Sequence, residues 1–143
     1  MASPSVEDYI KAIYKAQGDS AVVTTQAIAD RVSVSAPAVS KMLRKLAQLR
    51  LVEHAPYQGV RLTETGEKLA LEIVRHHRLL ELYLAETLGL DIEEVHDEAD
   101  RLEHVLSEEL EARIDRALGF PTHDPHGDPI PNAALEWPKS QTG

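Results

Sequence analysis

Apolar residues recur at helical spacing through most of this chain, and the repeat is interrupted once, between Leu51 and Leu62, by a stretch that alternates instead. Periods of 3.6 and 2 cannot share one element, so this interruption fixes the order of the first half as helices, then a hairpin, then a helix. Val6, Tyr9, Ile10, Ile13 and Tyr14 mark an amphipathic helix over Val6 to Lys15, with Ser5 as its N-cap. Gly18-Asp19-Ser20 ends it, and Thr24 or Thr25 caps a second helix carrying Ala27, Ile28 and Val32. The short Ser33-Val34-Ser35 turn leads to Pro37, which suits a first helical turn, and to a third stripe of Val39, Met42, Leu43, Leu46 and Leu49. The hairpin centres on Tyr57-Gln58-Gly59, and Thr63 opens a helix that is predicted to run through Leu84. One further helix is expected from about Ile92 to Leu118. Five of the eight prolines follow Gly119, which predicts an extended, at most partly ordered tail.

Helix, helix, helix, hairpin, helix is the order of a winged helix-turn-helix. The predicted fold class is mainly α, an N-terminal winged helix-turn-helix followed by an all-helical domain. An aromatic fraction of 4% leaves Leu, Val, Ile and Ala to build the core, which also favours helices. Absence of cysteine excludes a disulfide framework and a thiolate metal site. No stretch approaches the roughly 18 apolar residues of a membrane span, and the start, Met-Ala-Ser-Pro-Ser-Val-Glu-Asp, has no apolar leader core. The expectation is a cytoplasmic protein with no membrane partner.

The net charge of −9 is unevenly divided. Residues 1–75 hold ten basic and eight acidic side chains, net +2, whereas residues 76–143 hold five and sixteen, net −11. Two domains are therefore expected, 1–75 to bind DNA and 76–143 to bind metal and dimerise. From Arg31 to Val52 there is no acidic residue, while Arg31, Lys41, Arg44, Lys45 and Arg50 are present. A helix without carboxylates can lie against phosphate, with its N-terminal side chains reaching base edges in the major groove. Ser35, Ala36, Pro37, Ala38, Ser40 and Lys41 are the candidate base or groove contacts, Arg44 and Lys45 the phosphate contacts, and Gln58 and Arg61 the wing contacts. So small a positive charge gives weak non-specific affinity, which a dimer reading two half-sites would overcome.

The acidic half holds six of the seven histidines. On one continuous helix, His96, Asp100, Glu103 and His104 would share a side, and His77 and Glu81 repeat the i, i+4 interval earlier. Imidazole with carboxylate suits first-row divalent ions. A single helical histidine is ordinarily a surface or core residue, and it is the grouping that points to metal. Asp97, Glu98, Glu108, Glu109 and Glu111 read as solvated face, and His76 and His123 as non-ligands.

These segments together resemble the diphtheria toxin repressor family of metal-dependent transcriptional regulators. The resemblance runs through Val6 to Tyr14, Ser35 to Ser40, Leu62 to Gly66, His77 to Glu81, Val95 to Val105 and Gly127 to Pro131, and it is to the two-domain forms without the SH3-like domain. It implies a primary metal site of Asp8, Asp100, Glu103 and His104, and an ancillary site of His77, Glu81 and His96. Asp124-Pro125-His126-Gly127 is similar to a Cys-Pro-His-Gly segment that joins the ancillary site in one manganese-regulating branch, which adds Asp124 and His126 as weaker candidates. Lys11 stands where the manganese transport regulator has a glutamate ligand, so that two-ion geometry does not transfer. Thiolate and thioether ligands of iron-type members are replaced by Asp100 and Asp8, which tilts the cofactor toward Mn²⁺, with Fe²⁺ as the second choice.

The function so implied is a metal-dependent repressor that binds palindromic operator DNA as a homodimer and controls metal-homeostasis genes, with no organic substrate. Leu79, Leu82, Val105, Leu106 and Leu110 are candidates for the dimer interface, or equally for core. The chain is not expected to be an enzyme, since no nucleophile-base pair or phosphate loop is visible. Two other readings stand beside this one. A winged-helix regulator of an organic ligand would need a sizeable apolar pocket, and a helical metal-storage or di-metal protein would use Glu-x-x-His pairs on two helices, which neither metal segment has.

Overall fold

The computed structural model describes residues 4–55 and 57–139, so Pro56 of the expected hairpin turn and the two chain ends lie outside the described residues. The chain forms two compact units, Met1–Ala70 and Leu71–Gly143. Six helices and one two-stranded sheet occur among the described residues, and no helix is long and apolar enough to cross a membrane.

In the first unit α1 (Val6–Asp19) begins with a capping box: Asp8 N–H donates to Ser5 Oγ and Ser5 N–H donates to the Asp8 carboxylate. Its inner face buries Tyr9, Ile10, Ile13 and Ala16. Helix α2 (Thr25–Val32), capped by Thr24, ends at Ser33 in the left-handed region, and Ser35 then caps α3 (Ala36–Gln48). This sharp turn sets α2 against α3, while α1 packs on α2 and the sheet. Ile10, Ile13, Ile28, Val39 and Leu46 are completely buried, each contributing about 1.5–3 kcal/mol.

Strands β1 (Val52–Ala55) and β2 (Gly59–Leu62) pair antiparallel, with Val52 opposite Leu62 and Ala55 opposite Gly59. Val23 adds a one-residue third strand: its N–H donates to Gln58 O and its carbonyl accepts from Val60 N–H. Gly59 has φ +73° and lies directly against Val23 O, so two separate constraints select glycine there.

Helix α4 (Glu64–Glu86) begins in the first unit and continues in the second. The second unit adds α5 (Ile92–Leu102) and α6 (Glu108–Ala117). The single helix expected from Ile92 to Leu118 is therefore two. Ser107 accepts a hydrogen bond from Leu110 N–H and is followed by Glu108, Glu109 and Glu111, so a new helix starts where the apolar repeat alone continues. The proline-rich tail is also better ordered than expected: Ile130 packs with Leu79 and Leu82, and the Pro129 and Pro131 carbonyls accept from Arg78 and Arg75.

Gly66, in the first turn of α4, is buried against the Leu51 carbonyl, so closely that a Cβ would overlap it. Helix propensity alone favours alanine by about 1 kcal/mol. Overpacking reverses the sign, and Gly66→Ala is expected to destabilise the protein by about 1–3 kcal/mol in urea denaturation. A higher urea midpoint for the variant would contradict this packing.

Candidate metal centre

The second unit buries ionisable groups among its leucines. On α4, His77 and Glu81 are one turn apart on the face between Leu79, Leu80 and Leu82, and both are buried. His77 Nε2 lies 2.8 Å from Glu81 Oε1. His77 Nδ1 lies 2.6 Å from Glu103 Oε2 and 3.2 Å from Asp100 Oδ1. His96, one turn before Asp100 on α5, places Nε2 3.4 Å from Asp100 Oδ2, and its ring meets that of His77 edge to face at 4.9 Å. Glu103, only 2% exposed, is the C-cap of α5, and His104 follows in the turn with Nε2 3.5 Å from Glu103 Oε1. The break after α5 thus replaces the single-helix picture: Glu103 and His104 stand at a helix end, where backbone carbonyls and the dipole favour a cation.

A third element comes from the tail. Asp124 Oδ1 accepts from the N–H groups of His126 and Asp128, which folds the turn and leaves the buried Asp124 Oδ2 facing His126. His126 Nδ1 reaches 3.4 Å from Glu81 Oε2. Two donor sets follow, His77, His96 and Asp100, and Glu81, Asp124 and His126, each offering one atom per residue within 4.8 Å of the others. Ligand distances of about 2.0–2.4 Å put opposite donors about 4–4.8 Å apart, so these spans suit a single ion.

Asp8 lies on α1 in the first unit, where its carboxylate caps the helix. The DNA candidates lie on α3 and the wing. Ser35, Pro37, Ala38, Lys41, Arg44, Lys45 and Gln58 are exposed, and Ala36, Ser40 and Arg61 are half-buried. Among the interface candidates, Leu79 and Leu82 are core, while Val105 and Leu110 are exposed.

The residues present fit a divalent cation on a direct observation: Glu81 Oε2 is buried with no hydrogen-bond partner. Burial pushes the Glu81 carboxyl up, but the His77 hydrogen bond and the charges of His77, His126 and His96 outweigh it, leaving it below the ordinary value. A buried ionised oxygen that makes no hydrogen bond is costly even with the His126 ring 3.4 Å away, and a cation removes that cost.

Sequence reasoning missed a second polar group. Glu111 is not solvated face: with Arg75, His76 and Asp115 it forms a buried ion network. Arg75 Nε donates to Glu111, its Nη1 to the Pro131 carbonyl at 3.0 Å and its Nη2 to Asp115 at 3.0 Å. His76 Nε2 sits 2.7 Å from the other Glu111 oxygen, and Nδ1 sits 3.2 Å from the Glu103 carbonyl. Burial lowers the affinity of His76 for a proton, yet the Glu111 hydrogen bond and charge and the Glu103 carbonyl raise it overall. Both nitrogens face acceptors, so both bonds are made only by the imidazolium. Burial pushes Glu111 up, and its bonds to His76 and Arg75 bring it below the usual range. The i, i+4 pair Glu111 and Asp115 was the available signal.

Among known families, the iron-dependent repressor, N-terminal DNA-binding domain, matches residues 1–60, and the iron-dependent repressor, metal-binding and dimerisation domain, matches residues 63–132. The chain belongs to the iron-dependent repressor family. Within this family it is 38% identical over 130 residues to the diphtheria toxin repressor of Corynebacterium efficiens, covering 91% of this chain and 56% of that protein. It is 39% identical over 127 residues to the iron-dependent repressor IdeR of Mycobacterium bovis, covering 89% and 55%. The chain thus spans little more than half the length of these relatives. Among solved structures, it is similar to a manganese-dependent transcriptional repressor in complex with manganese, at 48% identity and a TM-score of 0.86, covering 96% of this chain and 63% of that one. The metal-dependent transcriptional regulator MtsR matches at 35% identity and a TM-score of 0.87, covering 98% and 65%.

Arg75→Met tests the ion network, since it removes the guanidinium from Asp115 and leaves Glu111 with His76 alone. Loss of one partner from a buried ionic group predicts a fall of about 3 kcal/mol in the stability of metal-free protein, measured by urea unfolding. A change below about 1 kcal/mol would mean that these ions behave as solvated surface pairs.

Proposed function

We propose that this chain is a metal-dependent transcriptional repressor that binds palindromic operator DNA as a homodimer when loaded with Mn²⁺ or Fe²⁺, and that it controls metal-homeostasis genes in the cytoplasm. The observation that carries the reading is the buried carboxylate-imidazole set, in which Glu81 Oε2 makes no hydrogen bond, in a chain of the iron-dependent repressor family. The primary ligands are Asp100, Glu103 and His104, joined by Asp8 from the DNA-binding domain. His77, Glu81 and His96 form the ancillary set, and the Asp124-His126 turn adds to it through Glu81. A cation bound there supplies positive charge against facing carboxylates. The absence of cysteine, together with hard oxygen and imidazole donors, favours Mn²⁺ over Fe²⁺.

Functionally, residues 1–75 read DNA and residues 76–143 sense metal and dimerise. Ser35, Ala36, Pro37, Ala38, Ser40 and Lys41 face the groove, Arg44 and Lys45 the phosphates, and Gln58 and Arg61 extend the contact along the wing. The exposed Leu102, Val105 and Leu110 supply apolar surface for a second copy. The protein is not an enzyme on this reading. A cavity of about 410 Å³ bordered by Arg75, Phe120, Ile130 and Pro138 is large enough for a small organic molecule, but Arg75 is committed there to Glu111, Asp115 and Pro131.

An operator selected from genomic fragments, followed by fluorescence anisotropy with chelator, with Mn²⁺ and with anaerobic Fe²⁺, tests the reading. Metal is expected to tighten binding at least about tenfold, a coupling of roughly 1.4 kcal/mol or more. The Glu103→Ala and His104→Ala variants should lose that gain. Equal affinity in chelator and in metal would remove the corepressor role.

A further inference from the structure

We infer that His76 and Glu111 are positioning residues for the metal-binding turn, acting through the Glu103 backbone without touching the ion. This rests on the assignment of Glu103 and His104 as ligands. The two lie where α5 has ended, in a turn held by Glu103 N–H to Ala99 O at 2.9 Å and Val105 N–H to Leu102 O at 3.1 Å. A ligand pair at a helix break has no i, i+4 ladder on its far side to fix its direction. Something else must hold it.

The His76 ring supplies that hold. Its Nδ1 lies 3.2 Å from the Glu103 carbonyl oxygen, and its Nε2 lies 2.7 Å from Glu111 Oε2. Glu111 is in turn fixed by Arg75, which is 3% exposed and also bonded to Asp115 and Pro131 O. The path runs from α6 through one imidazole to the peptide carrying a ligand. It explains an arrangement that ligand geometry alone does not: three consecutive α4 residues, Arg75, His76 and His77, are each committed to α5, to α6 or to the turn that joins them. His77 meets the Glu103 carboxylate at 2.6 Å while His76 meets its carbonyl, so one residue is held at both ends by neighbouring rings. Helix α6 supplies no ligand, yet it sets where the ligands point.

His76→Ala cuts this path but leaves the Arg75 ion pairs intact, so the fold is retained. Glu111→Gln keeps one acceptor oxygen for His76 at the expense of the Arg75 Nε bond, Arg75 remaining held by Asp115 and the Pro131 carbonyl, and serves as the conservative variant. In full-length metal-free protein, His76→Ala is expected to speed amide exchange at Glu103 and Val105, and in Mn²⁺ titrations followed by electron paramagnetic resonance to weaken binding roughly 10- to 100-fold with a broadened line shape. Glu111→Gln should stay within about threefold of the unsubstituted protein, because the hydrogen bond survives. Unchanged exchange and unchanged Mn²⁺ affinity in His76→Ala would overturn the inference, as would an equal loss in Glu111→Gln. If the unsubstituted protein binds no Mn²⁺, the ligand assignment fails, and the exchange rates still decide whether His76 holds the turn.

Discussion

Everything in the second unit depends on keeping ionised carboxylates out of water. Glu81 and Glu103 are 3% and 2% exposed, beside Leu79, Leu80 and Leu82 in a small helical domain. An isolated carboxylate at such depth costs several kcal/mol, and the protein offsets this with imidazole rings and, at Arg75, a guanidinium. His77 alone faces Glu81, Asp100 and Glu103. One oxygen, Glu81 Oε2, is left without a hydrogen bond. A domain stabilised only by its own packing would gain from replacing that group with leucine. Its retention makes sense where a cation completes the set, so that binding strengthens the fold and the fold presents the ligands.

The division of charge along the chain serves the same arrangement. Acidic residues collect in the second unit, where they draw cations, and are absent from α3 and its flanks. Helix α3 carries its cations on the exposed side at Lys41, Arg44 and Lys45 and its apolar residues, Val39, Leu43 and Leu46, in the core. Val23, between α1 and α2, ties that connection to the wing through backbone hydrogen bonds with Gln58 and Val60.

Local chemistry was legible in the sequence, and cross-helix chemistry was not. The Ser5 cap, a cap at Thr24 or Thr25, and the hairpin around Tyr57-Gln58-Gly59 were legible because caps and turns are decided within a few residues, whereas Ser35 was read as part of a turn and is the cap of α3. The break at Glu103 to Ser107 was missed because the apolar repeat continues across it, and only the Ser107 cap followed by acids marks the new start. The tail was expected to be loose on its proline content, yet Ile130 has a pocket beside Leu79 and Leu82 that no local rule reveals. Glu111 looked like solvated face because its partners, Arg75 and His76, lie 36 and 35 positions away. At the site, residue types and spacings singled out His77, Glu81, His96, Asp100, Glu103 and His104 as candidates, while Asp124 and His126 entered through the resemblance, and the break after α5 decides which of them share a turn.

Whether the buried carboxylates and histidines of the second unit hold cations is measured most directly by an anomalous difference map from crystals grown with Mn²⁺, collected on both sides of the manganese edge. One peak is expected within ligand distance of Glu103 and His104 and another beside Glu81, Asp124 and His126. Peaks confined to exposed acids such as Glu93 and Glu94, with the Glu81 oxygen still unpartnered, would contradict this expectation.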